Sequence, residues 1–169
     1  MKPFNKCIEF GNEDINLPFC FGPSFPEFYL GIPENERGER AKMDSDLCII
    51  DKKHFFVRGC LDVPIAKSQK YFCWLVWVSM GEKSFHRAVD LWEAAERVSE
   101  PPYFGWLNTI IPCYPETLNL KTNVHARPVG ERPFVELEST THPFAVDQRN
   151  GISLARAQQM ANVILREWS

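Results

Sequence analysis

The segment YFCWLVWVSM, residues 71–80, limits the fold of this chain more than any other stretch. Every position except Ser79 is apolar, so the segment lacks the alternation of a strand that has one face in water. Such a run is typical of a central strand that is covered on both faces. It is also much shorter than the ~20 apolar residues that cross a bilayer. The segment therefore predicts a buried strand within a sheet and argues against a membrane protein.

Four more strands and two main helices are predicted around this segment. The strands are residues 46–51, 54–65, 118–128 and 132–139. The helices are residues 84–98, with Ser84 as N-cap, and residues 154–168, with Ser153 as N-cap. Apolar residues recur at helical spacing in both: Phe85, Val89, Trp92, Ala95 and Val98 in the first, and Leu154, Ala157, Ala161, Ile164, Leu165 and Trp168 in the second. The order predicts an α+β fold, in which a mainly antiparallel sheet of about five strands carries the two helices.

The chain of 169 residues fits a single domain with two parts. Residues 1–45 form an irregular N-terminal arm that is rich in proline and aromatic residues, and residues 46–169 form the α+β core. Prolines 18, 23 and 26 deny the arm a helix or a central strand in that region. Residues 32–43 predict one short helix within the arm.

Charge and motif content exclude several classes of function. The formal charge of −3 argues against nucleic acid as a partner, because phosphates demand a basic protein face. The N-terminus lacks the apolar run of a secretory signal, so we expect a cytoplasmic protein with reduced cysteines. Cys48, Cys60 and Cys73 fall in apolar strands and are expected to be small buried hydrophobes. No phosphate-binding, zinc-binding or nucleophile-elbow motif occurs, and we predict neither a cofactor nor a metal.

One strand places polar side chains together on one face. Lys121, Asn123, His125 and Arg127 follow each other at the period of two that characterises a strand face. They form either the solvated outer face of a half-buried sheet or a face that binds an anion or a partner. Trp106, in the tryptophan-rich segment YFGW, is a further candidate for a binding surface.

The stretch THPFAVDQRNGIS, residues 141–153, is predicted to be mainly a connection between the last strand and the last helix. Asn150 and Gly151 provide turn chemistry, and the Asp147 side chain can serve the turn. His142 leaves the end of a strand in an extended conformation, because a proline follows it. It acts either as a base near neutral pH or as a backbone hydrogen-bonding residue that locks the crossover. Cys113, in a loop between two prolines, is the best candidate for a reactive thiol.

Several segments together resemble DUF2199, a bacterial family of unknown function. They are DLCIIDKKHFFVRGCLDVPI, WLVWVSM, YFGWLNTIIPCYPETLNLKTNVHARPVGERPFVELE and THPFAVDQRNGIS, and the resemblance covers residues 46–164. It implies a small bacterial protein without an assigned activity, and it transfers no catalytic residue. Family members often begin with C-x-x-C-G and a following His, which is similar to half of a zinc knuckle. Here Cys7 and Gly11 are retained, but Phe10 occupies the second Cys position, and a lone Cys cannot hold a tetrahedral metal.

Three functions remain open at this point. The main hypothesis is a non-catalytic module that binds another protein, supported by thirteen Phe, five Trp and four Tyr residues and by mild acidity. One form of it is an immunity-type protein that neutralises a toxin, since an acidic surface suits a basic nuclease. The alternative is a small enzyme whose site is assembled from the scattered residues His142, His125, Cys113 and Asp147. The third is a structural or oligomeric role, and the sequence leaves the oligomeric state open.

Overall fold

The structure is a computed structural model that describes residues 4–6 and 19–168 of the chain. For residues 4–6 and Trp168 the description is limited to the backbone. Cys7, Phe10 and Gly11 lie outside the described residues, so the expectation that they hold no metal stays a prediction. The division of the chain at residue 45 also stays a prediction.

The strands of the described residues belong to one mixed sheet. They are β1 (Phe4–Lys6), β2 (Cys20–Pro23), β3 (Ala41–Met43), β4 (Leu47–Ile50), β5 (His54–Pro64), β6 (Tyr71–Met80), β7 (Tyr103–Leu107), β8 (Lys121–His125) and β9 (Phe134–Leu137). Their order across the sheet is β1-β2-β6-β7-β8-β9-β5-β4-β3, and β6 also pairs with β5. The additional pairing closes β5 to β9 into a five-stranded barrel.

The helices are distributed along the whole described chain. They are α1 (Glu27–Leu30), α2 (Glu34–Arg40), α3 (Glu82–Asp90), a short 3-10 helix (Ala95–Ser99), α4 (Pro143–Asn150) and α5 (Leu154–Trp168). This architecture confirms the predicted α+β class with a mainly antiparallel sheet and packed helices. The five predicted strands correspond to β4, β5, β6, β8 and β9, and the short helix predicted in the arm is α2.

Closure of the barrel depends on one glycine. Neighbouring strands of the barrel are antiparallel except β5 and β9, which run parallel. A Cβ on Gly59 of β5 would lie 2.6 Å from Val135 Cγ2 and 2.9 Å from the Pro133 carbonyl oxygen. A larger residue would therefore push β9 away from β5, and only glycine lets the two strands meet.

The largest hydrophobic core fills the barrel and continues under the last two helices. Each barrel strand contributes at least one fully buried side chain, namely Leu61, Val76, Leu107, Val124 and Val135. Phe144 of α4 and Ala157, Ala161 and Ile164 of α5 belong to the same core. The Arg156 N–H donates to Ser153 Oγ at 3.1 Å, which confirms the predicted N-cap of α5. Of the predicted apolar stripe of α5, Leu154 is instead exposed.

Strand β6 is the central strand that its apolar run predicts. Trp74 and Val76 point into the barrel, while Trp77 packs on the other face in a second cluster with Ile50 and Phe56. The prediction of a strand covered on both faces is therefore confirmed. The cover on the outer face comes from α1, from Ile32 after it, and from β3 and β4.

Three local predictions are wrong, and in the first of them tertiary contacts outweigh the local pattern. Residues 84–98 do not form one helix. Helix α3 begins after Gly81 and ends at Asp90, and the Arg97 side chain binds the Trp92 carbonyl oxygen at 2.7 Å, which holds the following residues in a turn and a 3-10 helix. Val98, placed on the predicted apolar stripe, is exposed.

The other two concern segments that contain proline. Residues 20–23 form β2, which lies between β1 and β6, because Pro23 comes at the end of the strand, where its missing N–H is tolerated. Residues 143–150 form α4 rather than a connection, because Pro143 occupies the first helical position, where a proline fits. Gly151 ends α4 at a φ of 80°, in agreement with the predicted turn chemistry.

Candidate functional site

The barrel is least tightly closed at the seam between β5 and β9. The register pair between these parallel strands is Cys60 with Phe134, and the Cys60 N–H donates to the Pro133 carbonyl oxygen at 2.8 Å. Beyond this pair, toward Pro64 and Leu137, the space between the two strands is taken by α4 and the residues after it.

Gln148 of α4 takes the place of a strand at this seam. Its Oε1 accepts a hydrogen bond from the Leu137 N–H at 2.8 Å, and its Nε2 donates to the Val135 carbonyl oxygen at 2.9 Å. One side-chain amide thus satisfies two backbone groups of β9 that a neighbouring strand would otherwise bind. On the other side, the Ile152 N–H donates to the Pro64 carbonyl oxygen at 2.8 Å and continues the edge of β5.

An open cleft of about 760 Å³ lies on the outside of this seam, and we call it the seam cleft. Its lining combines aromatic residues with charges of both signs. The lining includes Asp62, Tyr71, Asn123, Arg127, Phe134, Glu136, Glu138, Gln148 and Arg149. Such a mixture of apolar and convergent polar groups is typical of a binding site rather than of a packed core.

Arg127 stands at the centre of the seam and is held from three sides. Its Nη2 donates to Asp62 Oδ2 at 2.9 Å, and its guanidinium lies 5.4 Å from the centre of the Phe134 ring. Its carbonyl oxygen accepts a hydrogen bond of 2.6 Å from Nε of Arg97. The buried Arg97 guanidinium also donates to the carbonyl oxygens of Pro128 and Glu131, so it fixes the loop that carries Arg127. The cation of Arg127 is therefore preorganised before any ligand binds.

The outer surfaces of β7 and β8 form an exposed aromatic face next to the seam cleft. Phe104 and Trp106 are 49% and 42% exposed, and their rings meet edge to face with centroids 5.1 Å apart. Trp106 pairs in register with Lys121, whose Nζ lies 6.0 Å from the indole ring. His125 follows on β8 with its ring 5.9 Å from that of Phe134. We use the name aromatic face for Phe104, Trp106, Lys121, Asn123, His125, Phe134 and Glu136.

Four of the five predicted binding residues therefore lie on one continuous surface. Trp106, Lys121 and His125 belong to the aromatic face, and Arg127 connects it to the seam cleft. His125 Nε2 lies 3.6 Å from Glu136 Oε1, which is outside hydrogen-bonding distance, and this nitrogen has no hydrogen-bond partner among the described residues. His142, the fifth predicted binding residue, lies elsewhere.

A second open cleft, of about 540 Å³, adjoins the first across the Asp62–Arg127 ion pair. We call it the thiol cleft, because Cys60 and Cys73 line it together with Asp46, Asp62, Arg127, Gly130, Glu131 and Arg132. On its far side Arg132 Nε donates to Asp46 Oδ1 at 2.6 Å. The two thiols thus lie in a cleft that is bordered by two Arg–Asp ion pairs.

Both ring nitrogens of His142 bind backbone atoms. Nδ1 accepts from the Phe144 N–H at 3.1 Å and caps α4, and Nε2 lies 2.7 Å from the Pro115 carbonyl oxygen. This pair of contacts requires the neutral tautomer that carries its proton on Nε2. The geometry corresponds to the backbone-locking alternative, and it leaves neither nitrogen open toward a substrate in this conformation.

The other two catalytic candidates are close to His142 but are held by structural contacts. Asp147 Oδ2 accepts from the Tyr114 hydroxyl at 2.7 Å and from Arg156 Nη2 at 2.8 Å. Cys113 is exposed in the loop before Tyr114, and partial burial of its thiol, followed by the charge of Glu167, raises its pKa. His125 lies apart from these residues, on the aromatic face, so the structure does not bring all four candidates into one pocket.

Several residues of the two clefts carry no signal in the sequence. Asp62 shares a strand face with Cys60, but only the register of β5 with its neighbours brings Arg127 to it. Gln148 looks like an ordinary polar helix residue, and Arg97 looks like a solvated charge. Gln148 contacts β9 from 11 or 13 residues away, and Arg97 contacts the loop after β8 from 30 to 34 residues away, so no local pattern predicts these contacts.

A family model described as an uncharacterized protein conserved in bacteria, DUF2199, matches residues 6–152. The chain belongs to the DUF2199 family. No curated protein and no solved structure matches it.

The DUF2199 match extends further toward the N-terminus than the resemblance at residues 46–164 indicates. It includes residues 6 and 19–45 of the described arm, the whole barrel, the linings of both clefts and α4, and it stops before α5. The described helices of this DUF2199 protein include none that is both long and apolar enough for a bilayer. Within the same residues, no cluster of three or more His, Cys, Asp or Glu side chains is arranged to hold a metal ion.

Proposed function

We propose that this DUF2199 protein is a non-catalytic protein-binding module of the bacterial cytoplasm, and that its partner covers the aromatic face. The observation that carries the proposal is the exposed pair Phe104 and Trp106 on β7. Two large aromatic rings in contact with each other are unusual on a surface unless a partner covers them. Tryptophan and arginine are also the residues that contribute most to the affinity of protein interfaces.

The surroundings of this pair have the composition of an interface. Lys121, Asn123 and His125 form a polar border beside the rings, and Arg127 lies further along the same surface. Strand β7 is hydrogen-bonded to β6 on one side and to β8 on the other, so Phe104 and Trp106 project from a rigid support. A rigid surface loses little conformational entropy when it binds.

The charges next to the aromatic face favour a basic partner. Glu136, within the face, and Glu138, two residues further along the chain, are both exposed, and the chain has a net charge of −3. A partner with lysine or arginine residues around an apolar patch would match both features. The specific form that we propose is an immunity-type protein, which binds a basic toxin of bacterial origin and blocks it.

A small enzyme is the second proposal, and it has a narrower basis. Its supporting observation is that His142 and Asp147 both contact the loop between β7 and β8 that carries Cys113, through Pro115 and Tyr114. Its weakness is that the backbone and Arg156 already bind the first two.

The binding proposal is tested by removing the aromatic pair and comparing the result with a matched loss of exposed apolar surface elsewhere. The test protein carries Phe104→Ser and Trp106→Ser, and the control carries Leu154→Ser and Val163→Ser, which are exposed on α5. Wild type, test protein and control, each tagged, are incubated with the purified product of the adjacent gene, and binding is measured by calorimetry.

We expect wild type and control to bind with similar affinity. Loss of two aromatic anchors costs about 2 kcal/mol or more, so the test protein should bind roughly 30-fold more weakly. For the immunity form, co-expression of wild type should relieve toxicity of the partner and the test protein should not. Equal affinity of all three proteins, or no binding by wild type, would refute the proposal.

A further inference from the structure

Three of the six cysteines meet on the outside of the barrel, although 40 and 13 residues separate them in the chain. Cys20 of β2 is the register partner of Cys73 of β6 in a parallel pair. Cys60 of β5 has Leu75 as its antiparallel partner, which places it diagonally opposite Cys73 on the same face. The three side chains pack together with Leu75 in a small separate cluster.

The three thiols pack against each other, with Cys73 between Cys20 and Cys60. Interaction with the Cys73 thiol lowers the pKa of the Cys60 thiol, and nearby Arg127 lowers it further, against burial and Asp62, which raise it. Interaction with Cys20 and with Cys60, together with burial, raises the pKa of Cys73. The thiolate, which is the nucleophile, therefore forms preferentially at Cys60.

Access to solvent separates the three thiols in the same way. Cys60 is half-buried and lines the thiol cleft beside Arg127, whereas Cys20 and Cys73 are only 5% and 7% exposed. A small molecule in the cleft can reach Cys60 first. Cys73 also borders the cleft, but it is far less exposed than Cys60, and together with Cys20 it is positioned to act as a resolving thiol.

We propose that Cys20, Cys60 and Cys73 form an oxidation site for hydroperoxides, in which Cys60 reacts first and Cys73 resolves the product. The Cys60 thiolate attacks the distal oxygen of the peroxide, the O–O bond breaks, and the leaving hydroxide or alkoxide takes a proton from solvent. Cys60 is now a sulfenic acid. The Cys73 sulfur then attacks the Cys60 sulfur, and the new S–S bond expels water, with the thiol proton going to the departing hydroxyl.

The final bond is predicted between Cys20 and Cys73. Diagonal residues on neighbouring strands have Cα atoms roughly 7–8 Å apart, which exceeds the usual disulfide limit, so a Cys60–Cys73 bond is strained. Directly paired strands lie about 4.8 Å apart, within that limit. Attack of the Cys20 thiolate on Cys73 transfers the disulfide and releases Cys60 as a thiolate. A cellular dithiol then reduces the Cys20–Cys73 bond by two exchange steps.

This inference is independent of the proposed protein partner, because it concerns the cysteines of β2, β5 and β6, none of which belongs to the aromatic face. Its consequence for the fold is specific. The disulfide ties β2 covalently to β6, so oxidation fixes the strand through which the N-terminal arm joins the barrel.

The experiment uses reduced full-length protein and one equivalent of hydrogen peroxide, followed by alkylation and peptide mapping by mass spectrometry. Wild type and two cluster variants, Cys60→Ser and Cys73→Ser, are compared with Cys113→Ser and Cys48→Ser. Cys113 is exposed and Cys48 is fully buried, and both lie outside the cluster, so these variants control for the loss of any thiol.

We expect wild type and both controls to form the Cys20–Cys73 disulfide. Cys60→Ser should form it at least roughly tenfold more slowly, because Cys20 or Cys73, which are only 5% and 7% exposed, would have to react first. Cys73→Ser should form no disulfide and should accumulate a Cys60 sulfenic acid that dimedone traps. Formation of the bond at the wild-type rate in Cys60→Ser, or oxidation of Cys113 while the cluster stays reduced, would overturn the proposal.

A second measurement needs no variant and therefore does not depend on variant folding. Wild-type protein is alkylated with iodoacetamide at several pH values, and the rate at each cysteine is followed separately by mass spectrometry. Cys60 should react faster than Cys113 at neutral pH, since its pKa is lowered and that of Cys113 is raised. A slower reaction at Cys60 would also overturn the proposal.

Discussion

Replacement of Gln148 tests whether a single side chain holds the seam of the barrel. In Gln148→Ala, the Leu137 N–H and the Val135 carbonyl oxygen lose the hydrogen bonds of 2.8 and 2.9 Å that the side-chain amide provides. A net loss of about 1 kcal/mol per bond gives about 2 kcal/mol in total. The upper limit for two unsatisfied buried groups, about 6 kcal/mol, does not apply, because Gln148 and Leu137 border the open seam cleft, where water can replace part of the contact.

The helix propensity of alanine works in the opposite direction, by less than about 0.5 kcal/mol. Gln159→Ala on α5 is the matched control, because Gln159 is exposed and gains the same propensity without losing a seam contact. Urea unfolding followed by tryptophan fluorescence should show a midpoint lower by about 1 M for Gln148→Ala, at a slope of about 2 kcal/mol per M. Hydrogen exchange should accelerate at the Leu137 amide and not in β7.

Gln148→Glu is a more specific test, because it keeps the shape of the side chain and removes only the N–H group that donates to the Val135 carbonyl oxygen. At pH 7 the new carboxylate faces a carbonyl oxygen, so it should destabilise the protein more than alanine does. Protonation restores a donor, and the folded-state pKa of this carboxyl should lie above its unfolded value of about 4.3. Stability relative to wild type should therefore recover as the pH falls toward 4. Two results together would show that Gln148 does not hold the seam. They are urea midpoints of both Gln148 variants equal to that of Gln159→Ala, and an unchanged hydrogen-exchange rate at the Leu137 amide.

Two further predictions concern His142, which caps α4, and Tyr103 of β7. His142→Ala should lower the unfolding free energy by about 1 kcal/mol through loss of the α4 cap, while His142→Asn should retain most of it, as calorimetric melting can show. Burial, followed by the hydrogen bond to Glu100, raises the pKa of Tyr103 to about 12, above the unfolded value of about 10. Stability should therefore fall as the pH rises from about 10 to about 12, and Tyr103→Phe should reduce that loss in urea titrations at pH 9 and 11.

Elements whose hydrophobic pattern repeats along consecutive residues are predictable from this sequence. β5 and β6 have apolar runs long enough to identify buried strands, and α5 has both an N-cap at Ser153 and apolar residues at helical spacing. In these segments local propensity and burial agree, so tertiary contacts change little.

Strand β7 is not among the strands predicted from the sequence, and its residues show why the hydrophobic pattern does not reveal it. Its large residues Phe104 and Trp106 face outward, and the small Gly105 faces inward, where a Cβ would lie 2.3 Å from Val78 Cγ1. The usual relation between residue size and burial is therefore inverted at these three positions, although Leu107 of the same strand is buried. Prolines precede and follow the segment, which is typical of a loop. It forms a strand because it pairs with β6 and β8.

The sequence by itself determined the fold class, the buried central strand and the polar face of β8, because each depends on the order of neighbouring residues. The tertiary structure alone decided which side chains meet. Arg127 reaches Asp62, Gln148 reaches β9, and Cys60 reaches Cys73 through strand register and barrel closure. A register shift of one residue would turn each strand face over and separate these groups. Register depends on contacts between segments far apart in the chain, and for that reason both clefts are properties of the fold.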